Sequence, residues 1–197
     1  DKYISWGWTD KAENKVLSFG ILKPLEKYVK INRENSKKIL IVIRPKERYS
    51  ATALDTRTRG PQLKRYHEDC IKIAKILDTN GLKEKLLVRL HERKYGWSEE
   101  YLWKKNFPQI LIDRGFDSIM KSISESKVVI YTYNATGYLE LMASNFPVLI
   151  YWNNKENKLR NDAEKNFIKL KEAKIFHDSV ESLTNHLLMI EKNIESW

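Results

Sequence analysis

Short apolar runs alternate along the chain with longer stretches in which apolar positions recur every three to four residues, the signature of strand–helix repeats building a parallel sheet. The first run, residues 38–44, carries Ile39, Leu40, Ile41, Val42 and Ile43 in succession, which suits a strand buried on both faces, and Pro45 stops it. Gly60-Pro61 opens a helix through about Leu77, with Ile71, Ala74 and Leu77 along one face, and Asn80-Gly81 ends it. Residues 85–91 form a second strand, followed by a polar and aromatic stretch and a short helix near 99–105. A weaker strand at 109–113 leads into a helix over 116–124. The clearest strand is 127–132, followed by a helix at 136–144 and a strand at 147–152. A helix at 161–173, a short strand at 174–177 and a closing helix from Ser182 complete the pattern.

This order predicts an α/β fold: a Rossmann-like, doubly wound, mainly parallel sheet with helices on both faces, spanning residues 31–197. Residues 1–30 are less regular, with Trp6-Gly7-Trp8 and a helix at 24–30, and are expected to pack against that domain. No apolar run approaches the roughly 18–20 residues of a transmembrane helix. A single cysteine, Cys70, excludes an internal disulfide, argues for a reducing compartment and sits among helical residues as a packed thiol.

Charge changes the picture by its location. The net charge of +10 calls for an anionic partner: nucleic acid, a membrane surface or a phosphorylated ligand. Mixed charges such as those from Lys155 to Lys174 read as a solvated face, whereas Arg44, Lys46, Arg48, Arg57, Arg59, Lys64 and Arg65 face only Glu47 and Asp55.

In open α/β sheets ligands bind beyond the carboxyl ends of the strands, near the reversal of strand order, and three predicted strand ends are polar. The first supplies Arg44, Lys46 and Arg48, suited to phosphate through bidentate arginine; a solvated basic loop is the competing reading. The second supplies Arg89 and His91 on one side of the strand, Arg89 being either a phosphate ligand or half of a structural ion pair. The fourth runs into Asn134, Thr136, Gly137 and Glu140. There a helix N-terminus favours an anion, Gly137 admits a ligand to the backbone and Glu140 can bond ribose hydroxyls; an ordinary capped helix accounts for the same residues. There is no Gly-rich dinucleotide fingerprint, no ATPase-type phosphate loop, no Gly-x-Ser-x-Gly elbow and no metal-ligand spacing, so no metal and no cofactor is expected.

At these motifs the chain resembles a family of transferases from bacterial surface-carbohydrate gene clusters. The resemblance rests on Tyr133-Asn134-Ala135-Thr136-Gly137-Tyr138-Leu139-Glu140, Asn145-Phe146-Pro147-Val148, Trp6-Gly7-Trp8, Arg89-Leu90-His91 with Tyr95-Gly96-Trp97, Leu159-Arg160 with Ala163, and Ile194-Glu195-Ser196-Trp197, in order over nearly the whole chain. It implies the C-terminal, donor-binding half of a GT-B glycosyltransferase, with the acceptor domain outside this chain. The partners it implies are a nucleotide-sugar donor and a glycan or lipid-linked acceptor. It further implies a cytoplasmic protein of surface polysaccharide biosynthesis, with peripheral contact to an anionic membrane at its inner face. By this resemblance Thr136-Gly137 holds donor phosphate and Glu140 lies near ribose or sugar. Gly137-Tyr138 departs from the family pattern, which favours a small hydroxyl residue at the first position, so no hydroxyl contact is expected from Gly137. The competing reading is a basic nucleic-acid-binding or processing module with stacking Trp and Tyr residues, although no specific nucleic acid is expected, because the aromatics do not interleave with one basic stripe. A non-catalytic remnant of the fold is a third.

Overall fold

The computed structural model describes residues 1–5, 7–9, 15–21, 36–48, 60–153, 158–194 and 197, Asp162 by its backbone alone. The helix expected at 24–30 lies outside the described residues, as do Trp6, Asp55, Arg57, Arg59, Lys155, Glu195 and Ser196.

Six strands form one wholly parallel sheet: β3 (Lys38–Val42), β4 (Leu86–Arg89), β5 (Leu111–Asp113), β6 (Ser126–Tyr131), β7 (Val148–Tyr151) and β8 (Phe176–His177). Their order across the sheet, β5-β4-β3-β6-β7-β8, is the doubly wound one, in which the chain starts at the centre and winds outward twice. The helices between them are α1 (Gly60–Thr79), α2 (Glu99–Asn106), α3 (Ile119–Ser124), α4 (Gly137–Ala143), α5 (Asn161–Glu172) and α6 (Val180–Lys192).

Strand alternation sorts the core into two layers. Ile39 and Ile41 of β3, Val88 of β4, Val128 and Ile130 of β6 and Leu149 of β7 face one layer, where α1 and α6 contribute Ile73, Leu77, Leu183 and Leu187. Leu40, Val42, Leu87, Val129, Val148 and Ile150 face the other, beneath Ile123 of α3 and Leu141 of α4. Each such fully buried aliphatic chain contributes about 1.5–3 kcal/mol, so these continuous apolar strands hold helices on both faces of the sheet. Cys70 lies in the first layer, its thiol pushed up to about 12 by burial, and is a packing group.

Differences from the expected elements are local. A two-stranded parallel sheet, β1 (Tyr3–Ser5) with β2 (Val16–Ser18), stands in the first 30 residues; three-residue strands are too short to show alternation in sequence. The α6 helix begins before Ser182 because the Ser179 hydroxyl accepts from the Ser182 amide at 3.2 Å and caps it. Strand β8 is shorter than 174–177 because Lys174 takes φ 56° and the Ile175 amide is held by the Leu170 carbonyl at 2.8 Å. Among the described residues no helix is long and apolar enough to cross a membrane.

Candidate functional site

All six strands end at one edge, but the chain leaves β3 toward β4 and leaves β6 toward β7, so the connections diverge and open a crevice between the two central strands. This switch-point cleft has a volume of about 520 Å³. Arg44, Thr132, Tyr133 and Asn134 line it from the ends of β3 and β6, Gln62, Tyr66 and Asp69 from α1, and Tyr151, Trp152, Asn153, Lys158 and Arg160 from beyond β7.

Its wall is fixed by a hydrogen-bond chain. The Thr132 hydroxyl donates to the Val42 carbonyl at 2.7 Å, its oxygen accepts the Tyr66 hydroxyl at 2.6 Å, and the Arg44 amide donates to the Tyr66 oxygen at 2.7 Å. One tyrosine thus ties α1 to both central strands. Burial raises the Tyr66 pKa well above its ordinary value, so this phenol stays protonated. Beside it the Tyr151 hydroxyl donates to Asp69 Oδ2 at 2.6 Å; burial first, then the carboxylate, pushes the Tyr151 phenol up. Asp69 Oδ1 has no partner among the described residues. Nor has the half-buried Arg44 guanidinium, although its charge offsets part of the rise that burial imposes on Tyr133.

Of the residues singled out in sequence, Arg44 and Asn134 line this cleft. Lys46 is half-buried in the segment after β3. Arg48 leans away toward β4: its amide donates to the Tyr95 carbonyl at 2.9 Å, its guanidinium to Gly96 at 3.3 Å, and it lies 5.6 Å from the Trp97 ring centre. Arg89 takes the second of its two sequence roles, pairing with Asp113 and donating to the Asp117 carbonyl at 2.8 Å. Burial works against the Asp113 charge, but Ser122, the Gly115 amide and Arg89 outweigh it and hold its pKa below the usual value. His91 Nδ1 accepts the Arg93 amide at 3.1 Å, and its ring lies 5.2 Å from that of Tyr95.

Around the start of α4, Asn134 Oδ1 accepts the Tyr138 hydroxyl at 2.9 Å, and Thr136 is the N-cap without a side-chain capping bond. Beside the Gly137 Cα the space belongs to Tyr131: a Cβ there would lie 2.0 Å from the Tyr131 hydroxyl. Half-buried Glu140 adds to the burial that pushes the Tyr131 phenol up. Sequence reasoning missed Tyr66, Asp69 and Tyr151; a polar pair three apart on a helix that otherwise packs on the sheet was the available signal. Among the described residues no three His, Cys, Asp or Glu side chains are placed to hold a metal ion.

Sheet order and cleft together define a Rossmann-like α/β protein with its ligand crevice at the switch in strand order. The chain belongs to the LIC12162 family of transferases, whose family model matches residues 1–197. No curated protein and no solved structure matches it.

Proposed function

We propose that the switch-point cleft binds the phosphates of a nucleotide-sugar donor, and that the chain is the donor-binding half of a GT-B glycosyltransferase in surface polysaccharide biosynthesis. The observation that carries this reading is Arg44: a half-buried guanidinium without a hydrogen bond or ion pair among the described residues, at the end of the central strand, in a crevice of donor size. A half-buried guanidinium keeps donors free for a ligand, and a bidentate phosphate would satisfy them. Lys158 and Arg160 add positive charge at the opposite wall against the single carboxylate of Asp69, so the lining favours an anion.

The chemistry follows from that charge. As the bond from the sugar to phosphate breaks, its electron pair moves onto the leaving phosphate, and fixed cations in a desolvated cleft stabilise it more than the neutral donor. Asp69, oriented by Tyr151, offers its free oxygen to ribose hydroxyls. A glycan or lipid-linked molecule receives the sugar.

Calorimetric titration with nucleoside mono- and diphosphates tests the reading. The protein should bind at least one, and Arg44→Ala should weaken it about tenfold or more, the worth of a charge-assisted hydrogen bond. Equal affinity in both proteins, or no binding of any nucleotide, would overturn it. Salt-sensitive binding to generic DNA in place of nucleotides would favour the nucleic-acid reading instead.

A further inference from the structure

A second cleft, of about 510 Å³, opens at the same edge of the sheet beyond β4 and β5. Its frame is rigid. Gly115 (φ +79°) turns the chain so closely over the end of β4 that a Cβ would lie 2.7 Å from the Leu90 carbonyl, and the Gly115 amide donates to Asp113 Oδ1 at 2.8 Å. Two buried or half-buried polar groups in its lining have no hydrogen-bond partner among the described residues. Glu99, the first residue of α2, is half-buried, yet no hydrogen bond or ion pair reaches its carboxylate among the described residues. Burial alone pushes its pKa up to about 7. The Trp97 Nε1–H is likewise buried and unsatisfied. The adjacent Glu100 differs: Arg114 Nη2 lies 2.6 Å from its Oε1. In the same lining Tyr101 and Phe116 are 66% and 73% exposed.

We propose that this cleft binds an uncharged sugar ring, stacked on Tyr101 and Phe116 and hydrogen-bonded through its hydroxyls to Glu99. The lining sets four cations against three carboxylates, a near balance that gives an anion no net attraction and places Glu99 against it. A sugar hydroxyl can donate to the orphan carboxylate and at the same time accept from a neighbouring cation of the lining. The C–H bonds on a pyranose face carry the partial positive charge that suits the negative face of an aromatic ring. A cationic amine would satisfy Glu99 but would add a fifth positive group to a lining that already holds four. The transferase reading enters only in making a sugar a natural ligand of this chain; binding itself does not depend on it.

Saturation-transfer NMR on the full chain, with methyl glycosides of neutral hexoses and of N-acetylhexosamines as probes, tests the site. At least one should bind, and Glu99→Gln and Tyr101→Ala should each weaken it about tenfold while leaving nucleoside diphosphate affinity unchanged. Arg44→Ala should do the reverse, and melting curves establish that each variant is folded. The site is overturned if no glycoside binds, if binding survives both Glu99→Gln and Tyr101→Ala, or if glucosamine binds more tightly than its N-acetylated form. Loss of glycoside binding in Arg44→Ala alone would put the sugar in the other cleft and also overturn it. Glycoside binding without any nucleotide binding would remove the donor reading and leave this one standing.

Discussion

Two neighbouring regions at one edge of the sheet treat their charges in opposite ways. Beyond β3, β6 and β7, tyrosines and a threonine bond to one another and to backbone while Arg44 has no partner among the described residues. Beyond β4 and β5, Arg89 holds Asp113, Arg114 holds Glu100, and Arg48 lies against Gly96 and Trp97. There the half-buried group without a hydrogen bond or ion pair among the described residues is the Glu99 carboxylate. An arginine at the end of a strand is therefore no marker of an anion site by itself; its partner decides.

The largest effect that tests this contrast is Arg89→Ala. Removing one member of a largely buried pair leaves Asp113 uncompensated, and a loss of about 3–5 kcal/mol in denaturant unfolding is expected. A loss under about 1 kcal/mol would make Arg89 as free as Arg44. Next is Gly137→Ala, whose methyl would meet the Tyr131 phenol; overpacking should cost about 1–3 kcal/mol. In a Tyr131→Val background the same change should cost less, and additivity of the two would show that the phenol is not what excludes a side chain there.

Glu99 gives a pH signature. Its folded pKa of about 7 stands above its unfolded value, so the folded chain keeps a proton that the unfolded chain has lost. Stability should fall as pH rises from about 4.5 to about 7, by on the order of 1 kcal/mol after allowance for partial exposure. Glu99→Gln should remove that slope; parallel pH profiles of the two melting temperatures would mean the carboxylate is solvated. The smallest effect belongs to Arg44→Ala, whose guanidinium has no partner to lose among the described residues and which should change stability by no more than about 0.5 kcal/mol. A cost comparable with that of Arg89→Ala would erase the difference between the regions.

Much of the fold could be read from the chain because β3 and β6 are buried on both faces and so carry no polar interruptions. Strand order is not written in any local pattern; it emerges from which helix covers which face. Short elements were harder: β1 and β2 are set by backbone pairing that three residues cannot advertise. In the site, Arg44 and Asn134 were visible because they follow apolar strands. Tyr66, Asp69 and Tyr151 were not, because the apolar body of each tyrosine satisfies the core while its hydroxyl acts elsewhere. Glu99 resembled any acidic residue opening a helix, and only the third dimension shows it desolvated.

The segment from Arg44 to Arg48 has a consequence for communication. Its first residue faces one cleft, and its last rests on the backbone and indole that frame the other. Four peptide units are too short a tether for its ends to settle independently. A ligand that fixes Arg44 therefore removes part of the conformational entropy that a second ligand beside Trp97 would otherwise have to remove, and the converse holds by the same factor. Ligands in the two clefts would then report on each other's arrival through a stretch of backbone that touches both.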